Sequence, residues 1–137
     1  MIDKILHVKL LLTLLMFSGG CCHSQNRKPE NDTIAQMKEE IQGSWIMKND
    51  ATSKLIFGEN GQVKEYADGE LISTKNYDIT TSCNGETSNN TYFLKTFAEE
   101  EEDNPSCAYI EGINCDNNHI LSLMTTNQGK IIVYERP

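Results

Sequence analysis

From Trp45 to the end of the chain, apolar residues come in short runs separated by turn residues at close, regular intervals. That spacing marks an all-β barrel or sandwich. The runs fall at 45–48, 54–57, 62–66, 71–73 with 77–80 continuing the sheet, 91–97, 107–111, 119–125 and 130–136, which gives about eight short strands. Asn60-Gly61 and Asp68-Gly69 supply tight hairpin turns, because both residue types tolerate positive φ, and Gln128-Gly129 turns the chain between the last two strands. Upstream, Ile34, Met37 and Ile41 recur at spacings of three and four, opposite Lys38-Glu39-Glu40. This is a short amphipathic helix, capped by Asp32 or Thr33 and ended by Gly43. Such a helix serves as a plug packed over the barrel; a lid or partner surface is the alternative.

Alternation sorts the strand residues into faces. Leu55, Phe57, Tyr77, Ile79, Tyr92, Leu94, Ala108, Ile110, Leu121, Leu123, Ile131 and Val133 form the expected inward set, with a bulge able to reverse any one strand. Eight strands can close a barrel and so remove every sheet edge. Strands of four to seven residues predict a narrow, shallow interior. Residues 82–90 read as a loop rich in Asn, Gly and Ser, and Glu99 to Pro105 as an acidic loop outside the core.

The N-terminal twenty residues differ in kind from the rest. Lys4 and Lys9 flank an apolar stretch from Leu10 to Phe17, and Ser18-Gly19-Gly20 are small; together they make a secretion signal too short to remain as a membrane span. Residues 21–32 are polar, hold a proline and lack an apolar period, as a flexible tether does. The domain proper is expected over 33–137. The full chain carries −8, and loss of Asp3, Lys4 and Lys9 with the signal leaves −9. An acidic chain of this kind is a poor nucleic-acid binder and is not held to anionic headgroups by charge.

In an oxidising compartment, Cys83 and Cys107 are expected to pair, since both flank the 91–97 strand and its loops. Cys115 is then a free thiol or a partner for Cys22.

Two resemblances follow from these residues. Phe17-Ser18-Gly19-Gly20-Cys21 resembles a bacterial lipobox, which implies that Cys21 is acylated and becomes the first mature residue. Ser18 stands where such motifs carry leucine or another aliphatic residue, and ordinary signal cleavage is the alternative. Gly43-Ser44-Trp45, followed by the hairpin series and closed by Tyr134-Glu135-Arg136, resembles the small lipocalin-like domains of bacterial lipoproteins. The likeness covers roughly 34–137. It implies an up-and-down barrel in which Trp45 plugs one end and Arg136 lies against its ring. It also implies a lipid-anchored protein of the cell envelope, at the outer membrane or facing the periplasm.

Other chemistry finds little support in the sequence. Glu99-Glu100-Glu101-Glu102-Asp103 has the oxygen donors that calcium prefers, but adjacent acids repel and no glycine bends them together. The spacing of Cys107, Cys115 and His119 fits no compact zinc knuckle. Mature histidines are limited to His23 and His119, and no nucleophile elbow, catalytic triad, phosphate loop or dinucleotide fingerprint is present. No catalytic residue, metal or cofactor is therefore expected. The expectation is a membrane-anchored barrel holding a small hydrophobic or amphipathic ligand against Phe57, Tyr77, Tyr92, Ile110 and Leu123. The alternative is a non-catalytic interaction or inhibitor module that docks an envelope protein through residues 82–90 and 98–106, with a filled interior.

Overall fold

The computed structural model describes residues 30–137; the signal segment, Cys21, Cys22 and most of the tether lie outside the described residues. Helix α1 (Glu30–Ile41) leads into β1 (Gly43–Met47), β2 (Asp50–Phe57), β3 (Gln62–Ala67) and β4 (Glu70–Thr80). A small hairpin follows, β5 (Ser82–Cys83) and β6 (Glu86–Thr87), and then β7 (Tyr92–Phe97), β8 (Ser106–Ile113), a single 3-10 turn at Cys115–Asn117, β9 (Ile120–Thr125) and β10 (Ile131–Glu135). Eight of the strands close into an antiparallel barrel in the order β1-β10-β9-β8-β7-β4-β3-β2. Each strand therefore neighbours the next along the chain, with the β5–β6 hairpin as the one insertion.

Local chemistry explains the path. Gly43 has φ +103, a region that L side chains rarely adopt, and it swings the chain from helix to sheet. Gly61 and Gly69 turn the β2–β3 and β3–β4 hairpins with φ of 77 and 80. Because the strands alternate in direction, all of their joins fall at two ends. Helix α1, the 58–61 turn and the β8–β9 turn share one end; the β1–β2, β3–β4, β7–β8 and β9–β10 connections share the other.

Inside the barrel, Trp45, Phe57, Val63, Tyr77, Ile79, Leu94, Ile110, Ile113, Leu121, Leu123 and Tyr134 make one core with Ile41 of the helix. Ile34 and Met37 pack against it from the same helix face, so α1 is a plug, as its apolar spacing requires. The helix stays on the barrel through Lys38–Asp78 at 2.6 Å and an Asn114 amide donating to Glu40 at 2.8 Å.

The structure corrects several expectations. Segments 71–73 and 77–80 belong to one strand of 11 residues, and β2 and β8 each run to 8, so the interior is deeper than short strands would give. On β10 the faces are reversed: Ile131 is 58 % exposed, while Tyr134 is buried and Ile132 packs on the core. Val133 alternates outward with Ile131. A bulge between Ile110 and Gly112 lets both Ile110 and Ile113 point inward, extending the inward set past Glu111. Segment 82–90 is not a plain loop, since it carries β5–β6.

Candidate functional site

At the plugged end, Trp45 is fully buried and its indole N–H donates to the Ile41 carbonyl at 2.6 Å. The guanidinium of Arg136 sits 4.6 Å from the indole centre and donates through Nη2 to the Glu40 carbonyl. Two carbonyls of the last helical turn, which have no partners within the helix, are thereby satisfied by the first and last strands. A cation at this position also meets the negative end of the helix dipole. The Arg136 Nε is buried without an acceptor, so the indole face is the group left to compensate it. Trp45 and Arg136 thus meet at this end of the barrel, where Gly43 turns the chain from helix to strand.

The opposite end is open. A cavity of about 220 Å³ enters the barrel there. Its depth is apolar, walled by Leu55, Phe57, Val63, Leu94, Ala108 and Leu123, while Glu65, Ser73, Lys75, Thr96, Ser106 and Thr125 ring its mouth. Strand register produces this division. Val63 and Glu65 lie on one face of β3, and Ser73, Lys75, Tyr77 and Ile79 on one face of β4, with Glu65 opposite Ser73 and Val63 opposite Lys75. Ser73 Oγ donates to Glu65 Oε2 at 2.8 Å, and Lys75 Nζ stands 3.9 Å from the same oxygen. Inside a small barrel this pair places a carboxylate and an ammonium above apolar walls. Tyr134 also borders the cavity; burial first, and then the Glu65 charge, push its phenol above the usual range.

Of the expected ligand-facing residues, Phe57 and Leu123 line this cavity. Tyr77 lies below it, edge-on to Phe57 at 5.0 Å between ring centres, its hydroxyl donating to the Gly58 carbonyl at the plugged end. Ile110 is core beneath the cavity, and Tyr92 is half-buried against that core. Glu65, Ser73 and Lys75 are polar, so apolar alternation along the strands does not mark them as inward. The period of two that carries Tyr77 inward also carries Lys75 and Ser73 inward.

The outer wall carries a second feature. Cys83 and Cys107 form a disulfide, with Cα atoms 6.1 Å apart, which pins β5–β6 against the outside of β7–β8. Under the hairpin, Phe93 is buried and stacks on Tyr109 at 4.7 Å. Tyr109 donates to Glu86 at 2.7 Å, and this hydrogen bond, then desolvation and the Glu86 charge, raise its phenol. Asn84, at φ 49, and Gly85 make the hairpin turn, and the Asn84 amide reaches the Pro105 carbonyl at 3.0 Å. Asn84-Gly85 is the sequence signal that marks this hairpin. A hollow of about 320 Å³ lies beside it, lined by Ser82, Asn84, Lys95, Glu102 and Asp103 among others. Though larger than the barrel cavity, it is polar and open, and offers little dehydration to a ligand.

Elsewhere, residues 99–103 are exposed, and among the described residues no three His, Cys, Asp or Glu side chains gather as a metal site would need. His119 is exposed just ahead of β9. No described helix is long and apolar enough to cross a membrane. Comparison with protein-family models, with curated proteins and with solved structures finds no match to this chain.

Proposed function

We propose that the chain is a lipocalin-like lipoprotein of the bacterial cell envelope, anchored through Cys21, which binds a small amphipathic ligand in the open end of its barrel. One observation carries the ligand reading: the 220 Å³ cavity is apolar at depth and ringed by Glu65, Ser73 and Lys75 at its mouth. Apolar pockets with a few convergent polar groups are the general form of small-molecule sites. The size sets the ligand class. An apolar cavity of about 150 Å³ holds benzene, so the cup takes a single substituted ring or a short alkyl chain, with its polar group at the Glu65–Lys75 level. A sterol does not fit. About ten heavy atoms at roughly 0.5 kcal/mol each give a dissociation constant on the order of 0.1 mM.

Thermal unfolding of the mature protein with octanoate, octylamine, p-cresol and a sterol tests this reading. The first three should include at least one that raises Tm and changes Trp45 fluorescence, and the sterol should do neither. If all four leave both observables unchanged, the ligand reading fails.

A second reading, a protein-docking module, is favoured by Leu71 and Ile72, which are 53 % and 62 % exposed at the rim of the open end. Both point outward because a bulge between Glu65 and Tyr66 places an extra residue in β4. Crosslinking in intact envelopes from a photoreactive residue at position 72 would capture a protein partner under this reading and nothing under the first.

A further inference from the structure

Tyr134 is 7 % exposed and borders the cup, yet its hydroxyl has no hydrogen-bond partner among the described residues. A phenol held in an apolar wall ordinarily finds one. Among these residues, the side-chain polar atom sealed off without a partner is the Arg136 Nε, so the Tyr134 oxygen is reached from the cup. Glu65 is near enough for its charge, after burial, to raise this phenol. We propose that the cup is selective for the charge of its ligand's head group: it takes a protonated amine, seated between Glu65 and Tyr134, with the alkyl or aryl part on the apolar floor. This selectivity rests on the reading of the open barrel end as a ligand cup.

The donors and acceptors at the mouth decide the head group. An ammonium has three donors and no acceptor, so it needs oxygens that converge. Glu65 offers a carboxylate, the Tyr134 oxygen is uncommitted, and Ser73, having given its proton to Glu65 at 2.8 Å, keeps the capacity to accept. A hydroxyl head can donate to Glu65 and accept from Tyr134, but it brings no charge. A carboxylate head must face Glu65, with Lys75 as the cation lining the cup.

Lys75 neutralises Glu65 without occupying it. Its Nζ stands 3.9 Å from Glu65 Oε2, and its side chain is 41 % exposed. A charge-assisted hydrogen bond is shorter, about 2.7–2.9 Å, and a lysine stem at a mouth can turn its ammonium to water. A ligand ammonium can therefore take the carboxylate as Lys75 swings outward.

The rest of the open end favours the same sign. Asp50, Asp68 and Glu70 stand at the β1–β2 and β3–β4 turns, and 99–103 are five adjacent acids on the β7–β8 connection. Against them are Lys48, which is paired with Glu135, and Lys130. Fields from exposed charges are screened beyond about 8 Å in physiological salt, so this rim steers a cation toward the cup and does not hold it. Glu65 and Tyr134 do the holding.

Isothermal titration of the mature protein at about pH 7, where an alkylamine is charged and a fatty acid ionised, tests the proposal with octylamine, octanol and octanoate, which share one chain. Octylamine should bind about tenfold more tightly than octanoate, with octanol between them, the scale of one charge-assisted contact at a half-exposed site. Glu65→Gln should bring octylamine and octanoate within a few-fold of each other, and Tyr134→Phe should weaken octylamine several-fold. Lys75→Met should widen the octylamine preference, and it gives an independent answer if Glu65→Gln does not fold. Octanoate binding as tightly as octylamine overturns the selectivity and leaves the cup standing as a ligand site. A preference that persists undiminished in Glu65→Gln, or does not widen in Lys75→Met, overturns it as well. Binding of none of the three removes the cup reading and the selectivity with it.

Discussion

Arg136 and Trp45 lie 91 positions apart in the chain, yet the guanidinium of one stands 4.6 Å from the ring centre of the other. The contact lies where the barrel is most thinly sewn. β1 and β10 share two register pairs, Ile46 with Glu135 and Met47 with Tyr134, supplemented by the Lys48 amide donating to Val133 at 2.8 Å and by Lys48–Glu135 at 3.2 Å. Exposed ion pairs contribute little. The half-buried cation on the indole, tied to the helix end, is the stronger fastening.

Arg136→Ala should therefore destabilise the protein by about 2–3 kcal/mol, the sum of a half-buried cation–π contact and a charge-assisted hydrogen bond. Arg136→Lys should recover part of this, because it keeps the charge and loses the planar stacking. Urea unfolding monitored by Trp45 fluorescence measures both. A loss below 0.5 kcal/mol for the alanine variant would show that the seam closes without this contact.

Replacing both Cys83 and Cys107 by alanine should cost about 3 kcal/mol, since the bond closes a loop of 24 residues and removes that much chain entropy from the unfolded state. The barrel itself should remain. Hydrogen exchange should quicken at β5–β6 and at Phe93, whose cover the disulfide holds down, while β2 and β3 keep their protection at a given stability.

Stability should fall at alkaline pH. Tyr77 and Tyr134 both have phenols raised above the usual value, first by burial and then by the neighbouring Asp78 and Glu65 charges. The folded state thus holds these protons more tightly than the unfolded state, so their contribution is full below about pH 10, the unfolded value, and is lost as pH rises through the folded values. Denaturant midpoints should drop as pH rises above about 10. Tyr134→Phe should flatten part of that drop, and an unchanged slope in this variant would contradict the assignment.

Much of the fold is legible in the sequence because its determinants are local. Asn60-Gly61 and Asp68-Gly69 fix hairpins, the 34-37-41 spacing fixes the plug face, and Gly43 with Trp45 fixes the junction. What was not legible depends on neighbours. Ile131, Ile132 and Val133 are three consecutive branched apolar residues without a period, so only pairing with β9 decides which point inward. The bulge at Glu111 has no signature in the chain itself. The mouth of the cup was hidden because its residues are polar, and the hairpin at Asn84-Gly85 because it lies within a polar stretch whose apolar anchor, Phe93, is on another strand.

The most direct test of ligand binding in the cup is a methyl NMR titration of the mature protein with octanoate and p-cresol, repeated on Ala108→Phe, which fills the cavity. Saturable shifts are expected at Leu55, Val63, Leu94 and Leu123, with Ile41 and Ile79 at the plugged end far less affected, and these shifts should be lost in the filled variant. Shifts confined to Leu71 and Ile72, or shifts at the cavity methyls that persist unchanged when Phe occupies position 108, would contradict it.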